Sequence, residues 1–170
     1  MTVGIGLLVA RVVVGLLMAA HGTQKLFGWF GGYGLKGTGD FFAQLGFRPG
    51  RLFAAAASLA ELTGGLLIAF GFLGPIGPAL MISVMIVAAV TVHWSHGLFA
   101  ATNGIEVPAL YATAGVGLAL IGFGPYSLDA SIGLAGLWTP TITLIVLALG
   151  IVGGIANLAL RARPATTARA

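Results

Sequence analysis

The order of apolar and polar positions divides this chain into five apolar runs, at about 3 to 20, 52 to 73, 75 to 92, 107 to 123 and 140 to 160. Each approaches the roughly 20 residues that a membrane-spanning helix needs; the fourth is the shortest and its start the least sharply marked. The runs are continuous rather than alternating. In lipid every backbone polar group must be satisfied within a helix or a closed barrel, and continuous runs select helices. The second and third runs are separated only by residues 71 to 77, with Gly74-Pro75 and Gly77-Pro78, which predicts an antiparallel hairpin. The fifth opens at Pro140, acceptable in a first helical turn, after the interfacial residue Trp138.

With 58% hydrophobic and 7% charged residues, the 170-residue chain has too few charges to cover a soluble globule, so the expected class is an all-α transmembrane bundle. The net charge of +4 does not point to nucleic acid, because the basic residues are scattered beside apolar spans and read as topology signals. With five spans, Lys25, Lys36, Arg48 and Arg51 share a side with Arg161, Arg163 and Arg169. That side is expected to be cytoplasmic, with the N-terminus outside and the C-terminus inside a plasma membrane. The first run lacks a basic region before it and is expected to be retained rather than cleaved as a signal. Without cysteine the chain has no thiolate and no disulfide of its own.

Residues 22 to 50 alternate glycine with Phe27, Trp29, Phe30, Tyr33, Phe41, Phe42 and Phe47. This loop is expected to lie in the headgroup region, with a short interfacial helix over about 40 to 46 that turns Phe41, Phe42 and Leu45 to lipid. It reads either as an aromatic belt or as a lid over a lipid-soluble ligand. Gly64-Gly65, Gly115 with Gly117, and Gly150 with Gly154 mark close helix packing, the last pair against another span or a second copy of the chain. Residues 162 to 170 are expected to form a disordered basic tail.

Intramembrane charges need partners. Arg11 and Glu61 each lie near the middle of an apolar run, so antiparallel neighbours are expected to bring them together as a buried pair, either a structural clamp or a proton or redox site. His93 and His96 share a face if the third helix continues past its apolar part. These two, with His21, Lys25 and Glu106, fall at the cytoplasmic end, where imidazole and carboxylate can exchange protons with a quinone headgroup. The same histidines are also readable as interfacial hydrogen-bonding residues. Haem or metal ligation is disfavoured, since neither a thiolate nor a second carboxylate strengthens the set, and no metal centre is expected. Asp129 is expected to be a loop or helix-start residue that satisfies backbone donors.

Several motifs recur in a recognisable order: His21-Gly22-x-x-Lys25-Leu26-Phe27, Glu61-x-x-Gly64-Gly65, His93 followed by Gly97-Leu98-Phe99 and Asn103-Gly104-x-Glu106, then Tyr126-Ser127-Leu128-Asp129. Together, over about residues 5 to 130, they resemble the DoxX family of small bacterial and archaeal membrane proteins. The motif positions carried over are Arg11, His21, Gly22, Lys25, Glu61, Gly65, His93, Asn103, Glu106, Tyr126 and Asp129. The resemblance implies a four-helix membrane core, here residues 1–136, and an association with thiosulfate:quinone oxidoreductase or with thiol and oxidative-stress complexes. Two departures stand out. Pro125 occupies a place where the family usually has Arg, which weakens an anion-binding role for that loop, and the span within residues 137–161 extends beyond the usual core.

The leading expectation is a quinone-binding, redox-associated membrane subunit, possible as part of a quinone-linked oxidoreductase. Arg11 and Glu61 are its candidate catalytic residues, and His21, Lys25, His93, His96 and Glu106 would bind the cofactor. No covalently bound cofactor is expected; electrons would come from a partner protein, with membrane lipids and a second copy of the chain as further partners. The alternatives are a proton or small-molecule transporter and a non-catalytic scaffold.

Overall fold

A computed structural model describes residues 1–162, and every regular element among them is a helix. The chain forms α1 (Thr2–Phe27), α2 (Gly34–Gln44), α3 (Gly50–Phe70), α4 (Ile76–Ala88), α5 (Glu106–Ile121), α6 (Leu128–Ser131) and α7 (Pro140–Ala159). Past Ala88, α4 runs on through a π-helical turn, Ala89–His93, and a 3-10 turn, Trp94–His96. Four helices, α1, α3, the continuous Ile76–His96 and α7, are long and apolar enough to cross a membrane. α5 has 16 residues and spans about 24 Å at roughly 1.5 Å per residue, the shortest of the five, in keeping with the weakest apolar run. The protein is a multi-pass helical membrane bundle.

Apolar burial gives little drive to helix association in lipid, so small residues that let backbones approach must supply contact. α1 and α3 pack antiparallel in this way. A Cβ on Gly15 would lie 2.5 Å from Gly65 O, and one on Gly22 2.6 Å from Ser58 O. α4 occupies the centre, against α3, α5 and α7. Gly150 and Gly154 of α7 meet Ala79 and Ser83 of α4, so this glycine pair packs within the chain. Gly64 and Gly115 are similarly close to neighbours, whereas Gly117 has none within 4 Å. Met18, Ile68, Met81, Met85, Leu118 and Phe123 fill the space between these helices.

The loops close the two ends differently. At one end α1 stops at Gly28, whose φ of 77° is favourable only for glycine, and α2 folds back across α3. Thr38 Oγ1 donates to the Lys25 carbonyl (3.2 Å), and Ala162 N donates to Gly46 O (2.9 Å), which brings the end of α7 beside this loop. Lys25, Lys36, Arg48, Arg51 and Arg161 therefore share an end; Arg163, Arg169 and the remainder of the tail lie outside the described residues. At the other end, Asp129 Oδ1 accepts from Leu73 N (2.9 Å) and its Oδ2 from Gly74 N (2.7 Å) and Trp138 Nε1 (2.8 Å), joining the α3–α4 turn to the α5–α7 connection. Asp129, in the first turn of α6, thus satisfies backbone donors.

Candidate functional site

The inward stripe of α1 is Arg11, Gly15, Met18, Gly22 and Lys25, spaced alternately by four and three residues. It faces an equivalent stripe of α3: Ala54, Ser58, Glu61, Gly65 and Ile68. The glycine contacts fix their register. Glu61 comes opposite the Gly22 region, and Arg11 comes opposite the last turn of α3. The expected Arg11–Glu61 pair does not form. Glu61 instead accepts from the Lys25 ammonium, a turn beyond Gly22, and Arg11 donates to the carbonyls of Ala69 and Tyr126. The physical reason is that α1 overshoots α3, so residues central in each run are not level. Arg11 caps a helix C-terminus, where unpaired carbonyls and the helix dipole both favour a cation.

The Lys25–Glu61 pair is asymmetric. Glu61 has no exposed surface and its Oε2 has no hydrogen-bond partner, whereas Lys25 reaches a cavity. That cavity, about 840 Å³, lies between the α1 end, α2, α3, α4 and α7. Its walls are mainly apolar, among them Phe41, Phe42, Phe53, Ala57, Ala60 and Val84, and Lys25 and His93 are among its polar positions. The expected interfacial helix is present but begins six residues earlier than predicted, at Gly34. Phe41, Phe42 and Leu45 line the cavity rather than facing lipid only, because α2 packs across α3.

His93 enters this wall from the π turn, and its Nδ1 lies 2.7 Å from Asn103 O. A carbonyl only accepts, so Nδ1 carries a proton, which leaves Nε2 as the nitrogen that can face a ligand. The other candidates are placed elsewhere. The α-helical continuation that would put His93 and His96 on one face gives way to the π turn, and His96 Nδ1 bonds to Val92 O (2.9 Å). His21 packs edge-on against Tyr111, with ring centroids 5.9 Å apart, and its Nδ1 is 3.3 Å from Gln24 Oε1. Glu106 accepts from Ala100 N (2.7 Å) and organises the loop before α5. Among the described residues no group of three or more His, Asp or Glu side chains is arranged to hold a metal ion.

Asp40 and Gln44 also line the cavity, and sequence reasoning passed over both. Tyr33, Gly37, Asp40, Phe41 and Gln44 recur at helical spacing, and that periodicity is the signal that marks them as one face.

The chain is 34% identical over 88 residues to "Putative oxidoreductase CatD" of Bacillus subtilis (strain 168), a match covering 52% of this chain and 60% of that protein. No solved structure matches significantly. The profile of the family described as DoxX matches residues 6–94, which include Arg11, Lys25, Glu61 and His93 but not Asn103, Glu106, Tyr126 or Asp129. Half of the chain, with both members of its buried ion pair, is thereby accounted for, and the protein belongs to the DoxX family.

Proposed function

We propose that this protein binds a quinone or a similar lipid-soluble molecule in the cavity beneath α2 and serves as the membrane subunit of a thiol- or thiosulfate-linked, or oxidative-stress, redox system. The cavity carries this reading. At about 840 Å³ it falls within the roughly 300–1,000 Å³ typical of small-molecule sites, and it combines apolar walls with a few polar groups. Lys25 can donate to a ligand carbonyl, and Nε2 of His93 can exchange a proton. Glu61 holds the ammonium in place from behind. Reduction of a quinone takes up two electrons and two protons; the electrons come from a partner protein, since this chain has no thiol to supply them. The oxidoreductase name of the Bacillus relative agrees with such a partner-dependent role.

The end carrying Lys25, Lys36, Arg48, Arg51 and Arg161 is the cytoplasmic side in this reading, by the charge bias of short loops. A transport pathway finds less support, because fully buried Met18 and Ile68 and the Gly15–Gly65 contact separate Arg11 from the Lys25–Glu61 pair. The test is Ala60→Trp, which fills the cavity from α3. A short-chain quinone should bind at least about tenfold more weakly to this variant, the scale of a lost apolar side-chain contact, while its melting temperature holds. Unchanged affinity in a folded Ala60→Trp protein would overturn the assignment.

A further inference from the structure

Among the described residues no carboxylate makes an ion pair with Arg11. Its guanidinium donates to carbonyls, and its Nε has no partner although the residue is only 2% exposed. Of the four acids in the chain, Glu61 is held by Lys25, Asp129 accepts three hydrogen bonds from Leu73, Gly74 and Trp138, and Asp40 and Glu106 lie at the opposite end. The dipole of α3 offsets only about half a charge.

Beside Arg11 is a hollow of about 350 Å³, separate from the cavity beneath α2. Leu8 and Ser131 both line it. Its rim includes Leu16, Phe70 and Leu128, all exposed at the apolar surface of the bundle, so the hollow opens towards acyl chains. A cation that lines a hollow opening to the hydrocarbon side suits a ligand with an anionic oxygen at one end and an apolar body.

We infer that this hollow holds the phosphate of an anionic membrane lipid, with the Arg11 guanidinium donating to a phosphate oxygen and the acyl chains leaving over Leu16 and Phe70. A guanidinium–phosphate contact is a charge-assisted hydrogen bond, stronger than the carbonyl contacts Arg11 already makes. Arg11 lies about 21 Å from Lys25 along α1, level with the last turn of α3 and the end loop that carries Tyr126. A lipid headgroup can therefore meet it near the edge of the hydrocarbon core. A free phosphate ion offers the same oxygens but gains nothing from the apolar rim.

The experiment uses the full chain, delipidated in detergent and offered short-chain phosphatidylglycerol, phosphatidylcholine or inorganic phosphate, with retained molecules counted by native mass spectrometry. Salt of about 0.5 M screens the exposed basic residues at the other end. Phosphatidylglycerol should be retained, and phosphatidylcholine, which offers the same phosphate oxygens but whose choline cation cancels the net charge facing Arg11, should bind more weakly. Leu8→Trp, which fills the hollow and leaves the carbonyl contacts of Arg11 in place, should lose the retained lipid. Should that variant fail to fold, Ser131→Phe blocks the hollow from its exposed wall and gives the same readout. Retention of inorganic phosphate alone would overturn the lipid assignment, and equal retention by wild type and a folded blocked variant would overturn the site.

Discussion

Replacing Lys25 with Met leaves the Glu61 carboxylate fully buried with neither oxygen hydrogen-bonded, since Oε2 has no partner even in the intact pair. Breaking a buried pair from one side costs about 3–5 kcal/mol. The lower end applies here, because the Lys25 side chain is 32% exposed and the pair is partly screened. Glu61→Gln should be milder, about 1 kcal/mol, because the released ammonium can turn into the cavity and find other partners. The double variant buries no charge and should cost no more than about 1–2 kcal/mol. The cycle therefore predicts non-additivity of about 2 kcal/mol, with the order Lys25→Met worse than Glu61→Gln. Unfolding in mixed micelles titrated with a denaturing detergent measures all four corners. Additive costs would refute the pair, and so would coupling of Glu61→Gln to Arg11→Gln instead of Lys25→Met.

Gly65→Val places a Cβ 2.5 Å from Ala19 N and Gly15 O, both backbone atoms, so α1 and α3 must separate; a loss of about 3 kcal/mol or more is expected. Gly117→Ala, with nothing within 4 Å, should be neutral or slightly stabilising, and equal melting temperatures for the two variants would contradict this packing. Asp129→Asn turns an acceptor shared by Gly74 N and Trp138 Nε1 into a poorer match, costing about 1–3 kcal/mol. Hydrogen exchange at Leu73 and Gly74 should quicken, and unchanged protection would count against that role. The chain lacks cysteine, so Lys36→Cys and Gly133→Cys report topology cleanly. An impermeant thiol reagent applied outside intact cells should label only the Gly133 variant, and labelling of Lys36→Cys would reverse the orientation.

Hydropathy marks the spanning helices because lipid imposes one requirement, apolar side chains over a fixed length, along every run. The partners of Arg11 and Glu61 were not legible in the same way. Their depths depend on helix register, which Gly15, Gly22 and Gly65 set by having no side chain, and a hydropathy pattern gives such positions little weight. The early end of α3 at Gly71 also leaves Thr2–Ala10 of α1 to pack beyond it, where Gly4 meets Pro125 and Tyr126. The face of α2 could be read from its spacing. Its destination could not, since turning Phe41 and Phe42 towards a cavity depends on where α4 and α7 stand. The π turn that carries His93 into the same wall has no periodic signature, and it separates His93 from His96 despite their spacing of three.

The central claim is that the cavity beneath α2 is a site for a lipid-soluble redox molecule. Extraction of the protein from native membranes in polymer-bounded lipid discs, followed by mass spectrometry of its small molecules, tests this most directly. The account predicts a quinone at close to one per chain, above its abundance in the surrounding lipid and displaced in Ala60→Trp. A quinone content equal to the bulk membrane, with no saturable binding when quinone is added, would contradict it.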